Sequence, residues 1–272
     1  MLRKALVYLA LLVVACVTAV PFLWLVLTSL KGSEDVFAFP PSLWPETFHF
    51  ENYADTWNAV RPNFGRYLLN SVLVSTVTVG LNVLLASLAA YPLARMDFRG
   101  KKLVFLLVLG TMMVPEQVIM IPLYTLVLHL GLVNTLAGVV LPFCVNAFGI
   151  FLLRQFYLTV PKELEDAAVM DGASPIRIWW NVLLPLSKPA LATLAVFTFV
   201  GAWSNFLWPL VILQDRELFT LPVALSYLTG AFSANFKFVA AGAVIAIVPV
   251  LAVYWFMQRY FIRGLMAGGV KG

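Results

Sequence analysis

Six stretches of about 20 or more apolar residues, near positions 5–30, 68–92, 103–128, 135–153, 186–213 and 238–261, dominate this sequence. A helix needs about that length to cross the ~30 Å hydrocarbon core of a bilayer, where every backbone N–H and C=O must be paired inside the segment. Little remains from which to build a soluble body: 62% of the 272 residues are hydrophobic, 11% are charged, and the mean hydropathy is +0.92. The expected fold is all-α, a polytopic membrane protein with six transmembrane helices.

Charge in the connecting segments predicts orientation, because Lys and Arg are retained on the cytoplasmic side. Arg3, Lys4, Arg95, Arg99, Lys101, Lys102, Arg154, Lys162, Arg177, Lys188, Arg259, Arg263 and Lys271 fall on one face, against Lys31, Arg61, Arg66, Arg216 and Lys237 on the other. Both termini are therefore expected in the cytoplasm, with residues 31–66 and 214–237 outside. The net charge of +5 reads as topology beside membrane lipid and calls for no nucleic-acid partner. Arg3 and Lys4 before an apolar run would also suit a signal peptide, and Val13-Val14-Ala15-Cys16 resembles a lipoprotein cleavage box. The run continues to Leu30, longer than a signal h-region, which favours an uncleaved first helix. Cys16 and Cys144 sit in apolar helices as small hydrophobes, with no disulfide or Cys-based metal site implied.

The outer loop is rich in Pro40, Pro41, Pro45 and in aromatic residues from Phe37 to Trp57, a composition suited to an interfacial cap with short helices. The expected organisation is a first helix and external loop over 1–66, a core of five helices over 67–262, and a cytoplasmic tail over 263–272.

Catalytic patterns are absent from the sequence. His49 and His129 are its two imidazoles, and there is no His-Glu-x-x-His, Gly-x-Ser-x-Gly or Cys-x-x-Cys. No Gly-x-x-x-x-Gly-Lys-Ser/Thr loop offers a phosphate site, so energy for any driven process must come from another subunit. No inverted repeat is visible, which disfavours a stand-alone secondary carrier.

The polar residues concentrate instead at 161–185, a hairpin set between membrane-grade segments. Pro161 is placed to open a helix, and Glu163, Glu165 and Asp166 favour the positive end of its dipole. Gly172 closes it, and Ser174-Pro175 supplies an N-cap and first-turn proline for the next. Glu163, Asp166 and Met170 share one side by three-to-four-residue spacing. Small Ala167 and Ala168 permit close approach of another surface. Pro185 and Pro189 mark the hand-over to the fifth membrane segment.

This hairpin resembles the signature of inner-membrane permease subunits of bacterial ABC importers: Glu-Ala-Ala, three residues, Gly, nine residues, Ile, one residue, Leu-Pro. Here Asp166-Ala167-Ala168, Gly172, Val182, Leu184 and Pro185 keep every spacing, with Asp for Glu and Val for Ile. Asn70-Ser71, the run from Ala90 to Arg95, Pro122-Leu123-Tyr124 and the segment from Gly264 to Gly272 are similar to the second permease of carbohydrate importers of the maltose type. The resemblance implies a heterodimer with a homologous second permease, two ATPase subunits that bind ATP and Mg, and an external substrate-binding protein, in a bacterial inner membrane. It implies no cofactor and no catalysis in this chain. On this reading Glu163, Glu165, Asp166, Ala167, Ala168, Met170, Asp171, Gly172, Leu184 and Pro185 couple to the ATPase, and a sugar or sugar-like solute moves inward by alternating access. An ABC permease for a non-sugar solute is the alternative, with a stand-alone secondary transporter behind it.

For the solute, the expected contacts are Trp203, Asn205 and Trp208, where the family has Trp-Asn-Asp/Glu-Phe. Aromatic rings and an amide suit the C–H faces and hydroxyls of a sugar. Glu116, between Pro115 and Pro122, is costly in a membrane unless it faces a cavity or partner. A pathway role there stands beside a simpler one, in which the prolines break the helix and the carboxyl reaches an interface. Asn82, Asn134 and Asn146 are expected to hydrogen-bond neighbouring helices.

Overall fold

The structure, a computed structural model, describes residues 2–36, 38–58, 63–231 and 236–269, with side chains omitted at 2, 229–231 and 259–269. Phe37, Arg61, Val270, Lys271 and Gly272, used above, lie outside the described residues, as do the side chains from Arg259 to Gly269. Every regular element among the described residues is helical. They are α1 (Leu2–Ser29), α2 (Glu51–Asn58), α3 (Phe64–Arg95), α4 (Lys101–Thr111), α5 (Glu116–His129), α6 (Leu136–Phe143), α7 (Ala147–Thr159), α8 (Glu163–Met170), α9 (Pro175–Leu186), α10 (Lys188–Ser204), α11 (Leu207–Ile212), α12 (Leu221–Ala231) and α13 (Phe236–Gly269), besides short turns at Ser33–Val36 and Arg216–Leu218.

Three of these, α1, α3 and α13, are unbroken and apolar enough to span a bilayer. The pairs α4/α5, α6/α7 and α9/α10 pass the same test only together, bent by 100°, 42° and 80°. Six spans result if each bent pair crosses once. The third segment is thus not the continuous helix expected over 103–128. Pro115 lacks an N–H and is extended, at φ −61° and ψ 136°, ahead of α5, so the ladder of α4 stops at Met112–Val114. Arms of 11 and 14 residues reach roughly 16 and 21 Å at 1.5 Å per residue, each short of the core thickness.

The chain divides into two compact units, one of Met1–Leu68 with Leu221–Pro249 and one of Leu69–Thr220 with Val250–Gly272. In the first, the outer loop folds back onto the end of α1. Asn52, fully buried, donates to the carbonyls of Ser29 and Lys31 at 3.0 Å each, and Ser29 Oγ meets Tyr53 Oη at 2.7 Å. Phe39, Trp44, Phe48 and Phe50 point outward, as interfacial aromatics do.

In the second unit, Ala86, Ala90 and Ala94 form a small-residue strip on α3, packed in one buried core with Leu153, Tyr157, Trp179, Leu183 and Leu194. Gly149 of α7 lets the helices meet: a Cβ there would lie 2.9 Å from Asn82 Oδ1 and 3.0 Å from both Ala86 Cβ and Leu194 Cδ1. Small residues of this kind replace the hydrophobic drive that lipid removes from helix association. Asn82, expected to hydrogen-bond a neighbour, packs against Gly149 and finds no partner for either amide atom among the described residues. Asn146 caps α7 through Gly149 N at 2.7 Å. Asn134, at φ +58°, accepts from the amides of Gln214 and Asp215 at 2.9 Å each.

Candidate functional site

The hairpin of the second unit is closed by its own backbone. The carbonyl of Lys162 accepts from Glu165 N and Asp166 N at 2.9 Å, starting α8 with three carboxylates in its first turn. At the other end Gly172, with φ +74°, donates to Val169 O, and Ala173 donates to Ala168 O, both at 2.9 Å. This bond pair is the Schellman closure, whose left-handed residue glycine supplies without strain. Ser174 then turns the chain in an extended conformation before Pro175, as its position suggested, although its hydroxyl makes no capping bond.

The outward face of α8 is broad: Glu163, Leu164, Asp166, Ala167, Val169 and Met170 are exposed, Met170 by 87%. Asp171 and Gly172 continue that surface, while Ala168 is half-buried. Glu165, another residue of the expected coupling set, is half-buried. It turns away from this face to Arg95 Nε, 2.6 Å from its Oε1, an ion pair whose atoms meet off the hydrogen-bond direction. Burial pushes the Glu165 carboxyl above the ordinary carboxylate range; Arg95 draws it down and Asp166 raises it further. Leu184 packs against the buried core, and Pro185 follows it in the second arm beyond a π turn at Trp179–Leu183. That turn carries α9 to the break at Ser187, where the hand-over was expected.

A cavity of about 520 Å³ opens in the same unit. Its wall takes Val74 and Thr78 from α3, Glu116 and Gln117 from α5, Phe143 and Asn146 beside α6 and α7, Phe197, Thr198 and Ser204 from α10, and the segment from Asn205 to Trp208. Three of the four residues expected at the solute line it: Glu116, Asn205 and Trp208. Trp203 does not. It is buried within α10 and stacked on Phe199, ring centroids 5.5 Å apart and planes 17° apart.

Trp208 is a wall more than a hydrogen-bonding group: its Nε1 donates to Gly138 O at 3.1 Å and its ring meets Phe143 edge-on. Asn205 Oδ1 accepts from Trp208 N at 3.3 Å, holding the start of α11. Thr198 Oγ1, on a side chain 7% exposed, has no partner among the described residues. Sequence reasoning overlooked Thr78, Gln117 and Thr198. A signal existed for one of them: Ser71, Ser75, Thr78 and Asn82 recur at helical spacing on α3, and all four are buried.

Residues 82–266 match the family described as binding-protein-dependent transport system inner membrane component. The chain belongs to this family. The permease is also similar, at 39% identity over 254 residues, to the arabinooligosaccharides transport system permease protein AraQ of Bacillus subtilis, covering 93% of this chain and 90% of that one. It is 35% identical over 265 residues to the melibiose/raffinose/stachyose import permease protein MelC of the same organism, covering 96% and 94%. In Escherichia coli the sn-glycerol-3-phosphate transport system permease protein UgpE is 35% identical, covering 86% and 85%. Its fold matches a chain in the crystal structure of a bacterial ABC transporter involved in the import of the acidic polysaccharide alginate, with TM-score 0.84, 25% identity and 96% of each chain covered. The permease is thus a multi-pass inner-membrane transport subunit.

Proposed function

We propose that the permease imports a neutral oligosaccharide or sugar-like solute, as one membrane subunit of an assembly with a homologous second permease, two ATPase subunits and an external binding protein. The observation that carries the solute class is the cavity wall. Thr78, Asn146, Thr198, Ser204 and Asn205 offer hydroxyls and amides beside Phe143, Phe148, Phe197 and Trp208, the mixture that a sugar's hydroxyl edge and C–H faces require. Glu116 is the single formally charged residue among the described lining residues, and no cation stands opposite to favour an anion. The names of AraQ and MelC, both for neutral saccharides, agree with this choice.

In this reading the exposed face of α8 lies in the cytoplasm and docks on an ATPase, which binds ATP and Mg. The termini lie on the same side. ATP-driven closure of the ATPase pair moves the docking helices, and the two permeases rock from inward to outward opening as a bistable pair. Two measurements test the proposal. Asp166→Lys, which reverses charge on the docking face, is expected to abolish ATPase copurification or stimulated hydrolysis while the protein still inserts. Inverted or reconstituted vesicles of the assembled complex are expected to move labelled raffinose or arabinotriose, and Asn205→Ala to slow that movement. Uptake by this chain alone on a proton or sodium gradient would overturn the reading.

A further inference from the structure

Arg95 is the last residue of α3, and its guanidinium holds the hairpin at two points. Nε faces Glu165 across 2.6 Å, with the two side chains 6% and 13% exposed, and Nη2 donates to the carbonyl of Val160, where the hairpin departs from α7. Other cations grip the same helix end: Arg154 Nε donates to Leu93 O at 3.0 Å, and Lys101 Nζ to Met96 O at 2.7 Å. Toward its other end α3 forms cavity wall at Val74 and Thr78. From Thr78 to Arg95 the helix, with Pro92 inside it, runs for about 25 Å at 1.5 Å per residue, so the tie and the wall belong to one continuous helix.

Stability does not explain the pair. Burial raises the Glu165 carboxyl further than Arg95 lowers it, and a buried ion pair of this kind is often matched by apolar side chains of similar volume. Its distinguishing property is directional: it fixes one side chain of a short exposed helix to the end of a long membrane helix. We propose that Arg95 and Glu165 are the mechanical joint of the permease, through which displacement of α8 is delivered to α3 and hence to the cavity wall. Both are positioning residues that touch neither solute nor nucleotide. The inference rests on the docking role proposed above for α8.

The test uses the complex carried by the tagged chain, with Cys16 and Cys144 replaced by Ser and Thr78→Cys as reporter. Maleimide labelling at position 78 is compared without nucleotide and with ATP plus vanadate. In the parent complex the labelling rate is expected to change several-fold. With Arg95→Gln or Glu165→Gln the ATPase still copurifies and hydrolyses ATP, but the change at position 78 falls to near nothing; the swap Arg95→Glu with Glu165→Arg brings it back. Single variants that keep the parent's response overturn the joint, as does a swap that restores nothing. Loss of ATPase copurification in Glu165→Gln, which keeps the side chain's size, also overturns it, since the pair would then serve docking alone. Failure of the parent to bring down any ATPase would instead sink the docking role itself.

Discussion

Gly172 acts through its backbone. At φ +74° it has nothing within 4 Å of where a Cβ would stand, so a side chain there meets torsional cost and no local clash. Gly172→Ala is expected to cost about 1–2 kcal/mol of hairpin closure, seen as a lower melting temperature for the purified complex with its ATPase still attached. A bulky residue adds volume to the exposed surface proposed to dock on an ATPase, and loss of ATPase stimulation should follow.

Glu165 makes a prediction about pH. Its folded-state pKa is raised, so its contribution to stability is full below the ordinary carboxylate range and is lost as pH rises through the raised value. The melting temperature of the parent minus that of Glu165→Gln should therefore decline as pH goes from about 4 to about 7. A difference that grows over this range would contradict the assignment of burial as the dominant cause. The outward residues Asp166 and Met170 were legible in the sequence, because spacing within one short helix decides which side they share. Glu165 was not, since its partner Arg95 is remote in the chain and only the folded core brings them together.

At the scale of elements, helix packing is decided where side chains are smallest. Gly149 touches Asn82, Ala86 and Leu194 at 2.9–3.0 Å from a would-be Cβ, and the small strip on α3 faces it. Gly149→Val should destabilise the second unit by about 1–3 kcal/mol through overpacking, measured as lower yield of folded complex and a reduced melting temperature. Equal stability in the variant would mean that α3 and α7 are free to separate. The spans themselves could be read from apolar length. Their breaks were only partly legible: Pro115 and the Pro185–Pro189 region announce interruptions, but a proline specifies a missing donor and a steric clash, not a 100° turn. Trp203 and Trp208 show the same limit. Their types fit a sugar wall equally and both are buried, yet Trp208 lines the cavity while Trp203 stacks on Phe199.

For the molecule as a whole, the exposed side chain at 170 is a handle on orientation. In a variant lacking Cys16 and Cys144, Met170→Cys is expected to react with a membrane-impermeant maleimide in inside-out vesicles and not in right-side-out ones. Labelling from the outer face would reverse the assignment drawn from Arg and Lys. The apolar surface of α1, exposed over nearly its whole length, shows why a lone copy in water is not the relevant species: such a surface requires lipid or another protein. The Glu116 carboxylate, expected either on a pathway or at an interface, lies on the cavity wall at the first turn of α5.

The eight residues of α8 are fewer than the ~12–15 at which an isolated helix becomes even marginal in water. Cut loose as a synthetic peptide, the stretch from Pro161 to Ala173 should give a coil-like circular dichroism spectrum and make a poor decoy for an ATPase. The knob is solid only while the rest of the chain holds it in shape, so what a partner protein would grasp is a property of the folded body and not of the eight residues alone.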